Sequence, residues 1–297
     1  TQPSSGSVPP KPPRIASFFS AFVVLFMIAI VVIPLFYAIV PQEVARWNLA
    51  AAWEKRLNGD LPSAIDSLTA ALESDPLHLE IYLQRAAWYE EIGNRESALQ
   101  DFNKVHDIAG NDRRMLVGRA MTYHGMGKSD EAIRDLQQLL EEGSSDTRFV
   151  DLNILAYMRA LTKTDLDQAL VEINESIALD LERRGQDEVL IPEAALLDTR
   201  GFIQYQRGEF QDARDDLEAA VKQYSVELRR WERRLKSGKG IVDLRLDRLQ
   251  LQVEKQTLAV VVYHRGLIYE KLEQTDLAEA DFDHVRTLGF EPGDDLY

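Results

Sequence analysis

The feature that most constrains this chain is a spacing. Gly59, Gly93 and Gly127 lie 34 residues apart, and so do Ala64, Ala98 and Ala132. Each glycine is followed five residues later by its alanine, in GDLPSA, GNRESA and GKSDEA, and four further on by Leu68, Phe102 or Leu136. A turn former, a small residue and a large one held at fixed offsets over such a period mark a stacked helix–turn–helix unit. One such unit cannot bury its apolar faces alone, so the copies must stack. Glycine and proline number only 16 and 11 in 297 residues, which fits long helices better than a turn-rich β fold.

At this point the sequence resembles the tetratricopeptide repeat family. The family's turn glycine, small crossing residue, bulky apolar residue and late proline are met by Gly59, Ala64, Leu68 and Pro76 in the first copy. The second copy has Tyr89, Gly93, Ala98 and Phe102, and the third Tyr123, Gly127, Ala132 and Leu136. A fourth is readable at Ala169 and Ile173, with Thr164 in place of the turn glycine. A fifth carries Gly201, Gly208, Ala213, Leu217 and Ala220, and a sixth Gly266, Tyr269, Ala278 and Phe282, with Glu273 at the turn. The resemblance implies an all-α protein, with a helical solenoid of about six helix pairs over residues 41–297.

From Ala132 onward the alanine spacings are 37, 44 and 65, so insertions interrupt the array. The largest adds 31 residues. Val221, Tyr224, Leu228, Trp231 and Leu235 step by three and four, as do Val242, Leu246, Leu249 and Val253. We expect a long helical hairpin over 221–256, its two stripes facing each other and its reversal at Ser237–Gly240. Its tip is basic, with Arg229, Arg230, Arg233, Arg234, Lys236 and Lys239 close together. It reads either as a solvated helix end whose cations suit the helix C-terminus or as a docking arm for anionic lipid head groups or an acidic partner.

The segment ahead of the repeats differs in kind. Residues 1–14 form a Pro/Ser-rich tail that is disordered by composition. Residues 15–40 then carry no charge over 26 positions, a helix of roughly 39 Å against a hydrocarbon core of ~30 Å. A secretory signal has an apolar core of only about 7–15 residues. The run is therefore expected to be a single transmembrane helix, contacting membrane lipid directly. Lys11 and Arg14 before it face Arg46, Lys55 and Arg56 after it, so the positive-charge rule leaves the sides nearly balanced. The repeat domain is expected on the extracytoplasmic, periplasmic side.

Chemistry is sought and not found. The net charge of −15 argues against nucleic acid, and the lack of cysteine removes disulfides, thiolate metal sites and a cysteine nucleophile. Gly125–Ser129 ends like a P-loop, but the glycine that motif needs earlier is Thr122. His78, His106, His124, His264 and His284 show no ligand spacing, and His124 and His264 are expected to be solvated. The resemblance implies instead a concave surface lined by the first helix of each pair, through Leu49, Trp53, Leu83, Val117, Met121, Ile154, Met158, Phe202, Tyr263 and Leu267. The lysines and asparagines with which the family's chaperone-tail binders hold a C-terminal carboxylate are absent there. An apolar surface of this kind suits an amphipathic helix or an extended apolar segment.

The expected function is therefore that of a non-enzymatic, membrane-anchored scaffold or accessory subunit. It would mediate protein–protein interactions with other subunits of a larger membrane complex. The alternative is a transient assembly or chaperone-like factor that binds client segments in the apolar groove. No cofactor, metal, nucleic acid or small-molecule substrate is expected.

Overall fold

The computed structural model describes residues 26, 30, 33–184, 193–237 and 244–291. Among them every regular element is a helix. The helices are α1 (Ile33–Leu57), α2 (Leu61–Ser74), α3 (Leu79–Glu91), α4 (Arg95–Ala109), α5 (Arg113–Gly125) and α6 (Ser129–Glu142). They continue as α7 (Arg148–Thr162), α8 (Leu166–Arg184), α9 (Glu193–Arg207), α10 (Phe210–Ser237), α11 (Leu244–Lys271) and α12 (Thr275–Leu288). Each odd-numbered helix packs on the even-numbered one that follows. The chain divides into two compact units, residues 1–110 and 111–297.

Local chemistry sets the ends of these helices. Asp60 and Asn94 accept hydrogen bonds from the backbone N–H of Ser63 and Ser97, and Asp112 from those of Arg114 and Met115. Each supplies an acceptor to donors that the first turn leaves unpaired. The turns inside the pairs place Gly59, Gly93, Gly127 and Gly208 at φ of 83°, 73°, 72° and 82°, a left-handed conformation cheap only for glycine.

Two turns do without it. Between α7 and α8 the left-handed residue is Lys163, at φ 53°, and not Thr164 as the alignment of repeats predicted. The N–H of Thr164 bonds the Arg159 carbonyl at 2.9 Å, as that of Asn94 bonds Tyr89 at 2.8 Å. Thr164 thus follows the turn residue, and Asp165, also left-handed at φ 47°, is one residue extra. In the last pair Glu273 takes the glycine's place at φ 59°.

The repeat alanines lie where the helices of a pair approach. Ala64, Ala98, Ala132, Ala169 and Ala213 are wholly buried, and Ala278 nearly so. At Gly266 the approach is close: an added Cβ would fall 2.6 Å from a ring carbon of Phe282. In the first unit one cluster gathers around Ala52, Ile65, Leu68 and Trp88. In the second unit one cluster gathers around Ala156, Ile173 and Ile203, and another around Leu217, Tyr224, Leu258 and Val262.

Three expectations change at this level. First, the helix does not end at residue 40: α1 runs unbroken from Ile33 through Pro41 to Leu57, although proline withholds one N–H from the helix ladder. The tail 1–14 and, apart from Phe26 and Ile30, the rest of the expected span up to residue 32 lie outside the described residues. Among the described residues no helix is long and apolar enough to cross a membrane.

Second, α10 and α11 are 28 residues each and pack on each other, with residues 238–243, including Lys239, outside the described set. Val221, Tyr224 and Leu228 of α10 are buried as expected. Leu249 and Val253 of α11 are not: they stand 51% and 53% exposed. The seam on α11 passes instead through Asp247, Leu251, Glu254 and Leu258, because Leu258, Val261 and Val262 lock the helix phase lower down. Third, His264 is buried, with Nδ1 3.0 Å from Asp198 Oδ1 and its ring stacked on Phe202.

Candidate partner-binding surfaces

In four of the pairs an ionic clamp holds the first helix against the second. Arg85 on α3 meets Asp101 on α4 through Nε and Nη2 at 2.8 and 2.7 Å, and its Nη1 reaches Thr69 Oγ1 at 2.9 Å. The same two-pronged contact joins Arg119 to Asp135, Arg200 to Asp216 and Arg265 to Asp281, at distances from 2.6 to 2.9 Å. Each pair is 16 residues apart in sequence, a spacing present in the sequence to which the glycine and alanine pattern alone does not point. The carboxylates are buried. Bidentate guanidinium–carboxylate contacts fix orientation as well as energy. The Asp135 carboxylate holds the Arg119 guanidinium above its ordinary value, so the guanidinium stays charged.

The fourth pair solves the problem differently. Leu155 occupies the arginine's place, and the clamp is made one turn later by Arg159, whose Nε lies 3.0 and 3.2 Å from the Glu172 oxygens. The first pair has no clamp of this kind: Ala51 and Ser67 fill the two positions, and Lys55 Nζ bonds Ser67 Oγ at 2.8 Å.

Clamped in this way, the first helices present only part of the expected apolar surface. In the first unit Trp53 is 44% exposed and meets Trp88 edge-on at 5.4 Å, with Leu49 and Leu83 half-buried. In the second unit Met121 is 40% exposed, with Val117, Ile154 and Leu267 half-buried. Met158, Phe202 and Tyr263 are buried. Neighbouring rings account for two of them: Tyr157 and His264 cover Phe202, and Phe282 lies against Tyr263.

On the distal part of α10, Arg229, Arg230, Arg233, Arg234 and Lys236 are all exposed. Arg234 lies over the Trp231 ring at 5.0 Å and 3.6 Å from Asp247 of α11, tying the two helices near their tip. Arg229, Arg233 and Lys236 border an open cleft together with Glu232. Gly125–Ser129 is the turn from α5 into α6, preceded by helix rather than strand. Among the described residues no group of three or more His, Asp or Glu side chains could hold a metal ion.

Six helix pairs closed by left-handed turns and small crossing residues define an all-α protein of helical-repeat type. Residues 114–142, covering most of α5 and α6, match the tetratricopeptide repeat family model. Human tetratricopeptide repeat protein 16 is 27% identical over 188 residues, 56% of this chain and 20% of that protein. The Gallus gallus DnaJ homolog subfamily C member 3 is 29% identical over 175 residues, 55% of this chain and 33% of its own length. The chain thus spans a third or less of these relatives. Among solved structures, the APC/C hetero-tetramer Cut9–Hcn1 superposes with TM-score 0.57 at 15% identity, over 85% of this chain and 41% of that one. PilW, a type IV pilus biogenesis factor, gives TM-score 0.55 at 15% identity, over 82% and 93%. The fold is the one these structures share, and the tetratricopeptide resemblance is supported.

Proposed function

We propose that this chain is a non-enzymatic interaction subunit, anchored through residues 15–40, that presents its repeats to other proteins of a membrane complex. The observation that carries the reading is the partly open apolar surface of the first helices, Trp53 above all in one unit and Met121 in the other. Aromatic and methionine side chains of this sort suit an amphipathic helix or an apolar strand of a partner. The cationic side of α10 is a second contact, for an acidic segment of that partner. The repeats lie on the extracytoplasmic, periplasmic side, so protease added outside spheroplasts digests them; full protection would reverse the orientation.

Purification in mild detergent tests the reading as a whole. A fixed stoichiometry with named partners supports it, and recovery as a salt-washed monomer would overturn it. A second reading, a transient assembly or chaperone-like factor, is favoured by the adaptability of an exposed methionine surface. It predicts client segments bound in sub-stoichiometric amounts and released on washing.

A further inference from the structure

Helix α1 has two faces. Ala45, Leu49 and Ala52 turn toward the core of the first unit. At about 100° per residue, Val40, Val44 and Trp47 fall on roughly the opposite side of the helix. All three are exposed, Trp47 to 78%, the most of any large apolar side chain described. An indole so placed leaves much of an apolar surface of about 150–250 Å² in water.

The neighbouring charges cancel. Glu43 and Arg46 are the only charged residues from Val40 to Trp47, and they pair with each other at 2.6 Å. Trp47 comes seven residues after Val40, the end of the expected span, which is about 10 Å of helix. Side chains on a helix lean toward its N-terminus, so the indole reaches back toward that span. The polar layer outside the hydrocarbon is roughly 5–8 Å deep on each side, and tryptophan concentrates there because its ring is apolar and its N–H is not.

We propose that Val40, Val44 and Trp47 form a collar that seats α1 in the interfacial layer of a phospholipid bilayer. The collar rests on the reading of residues 15–40 as a membrane span. It fixes which side of α1 leans on the lipid, and hence which side of the first unit faces away from it.

The test uses the full chain reconstituted in phosphatidylcholine/phosphatidylglycerol vesicles that contain acyl-brominated lipid, compared with Trp47→Phe. Trp53, Trp88 and Trp231 are common to both proteins, so the difference in emission belongs to Trp47. That difference should be blue-shifted, and quenched more by bromine near the head group than by bromine at the chain end. If the chain floats with the vesicles while the difference emission remains that of a water-exposed indole, the collar is wrong and the span stands. If the chain does not float at all, the span reading fails and the collar with it. Shielding of Trp47 that survives replacement of lipid by detergent, and follows a co-purifying protein, would assign this face to that protein instead.

Discussion

The α3/α4 and α7/α8 pairs close the same joint by different means. In α3/α4 an arginine 16 residues upstream grips an aspartate with two prongs, and a glycine makes the turn. In α7/α8 the arginine stands 13 residues upstream, the acid is one methylene longer, and a lysine and an aspartate take the left-handed turn. The spacing changes but the buried carboxylate at the crossing does not. What the fold preserves is a satisfied anion between two helices, and the reach of the side chains absorbs the inserted residue. The second solution is the poorer one, because Arg159 reaches the carboxylate through Nε alone, helped by Gln168 Nε2 at 3.3 Å.

Removing the acid should show how much each joint depends on it. Asp101→Ala leaves Arg85 half-buried without its carboxylate, and a broken buried pair costs about 3–5 kcal/mol. Glu172→Ala should cost less than Asp101→Ala, in line with the weaker geometry; denaturant unfolding of both variants compares them directly. Equal losses would mean that the two-pronged contact adds nothing.

Filling the crossing comes next in size. Ala98→Phe and Ala169→Phe both overpack a wholly buried site, at about 1–3 kcal/mol or more. Hydrogen exchange should show faster opening of the adjacent pairs as well, since stability in repeat arrays passes between neighbours.

The turns should respond with opposite signs. Gly93→Lys forces a side chain into the left-handed region and should destabilise by about 1 kcal/mol, whereas Lys163→Gly should stabilise by up to about 1 kcal/mol. Thermal unfolding of the two variants reads both signs.

The smallest effects are those of pH. Hydrogen bonding to Ser63 holds the Asp60 carboxyl below its ordinary value. At Asp112 burial pushes upward, but the bonds from Arg114 and Met115 outweigh it. Both groups are lowered on folding, so their contribution is present above the unfolded carboxylate value and fades as pH falls through the folded one. Asp60→Ala and Asp112→Ala should flatten the acid limb. At the other end, burial and then Glu218 push Tyr269 up to about 12, against Arg265, and burial raises Tyr224 as well. Their contribution is complete below about pH 10 and lost as pH rises through the folded values. Tyr224→Phe should remove part of the alkaline transition, followed by phenolate absorbance, without changing stability at pH 7.

Much of this was legible beforehand. The period located the turns and the crossing alanines, because a helix pair tolerates only small residues there and only a left-handed residue at its turn. Thr164 was misplaced by one because Lys163 has no glycine's signature. The exposure of Leu249 and Val253 was missed because α11 carries two candidate stripes, and only the packed end of the helix chooses between them. The burial of Phe202 and Tyr263 follows from rings on other helices, Tyr157, His264 and Phe282, which no single-helix pattern reveals.

The long pair α10 and α11 has one further consequence. Each helix passes from its repeat into the extension without a break, so the extension behaves as a ruler whose length can be reset. Excising two turns, about seven residues, from both helices at matched levels would shorten it by roughly 10 Å while returning the remaining side chains to nearly the same azimuth. A partner gripping only the cationic end would then be drawn inward by that distance, and one gripping the repeats would not move.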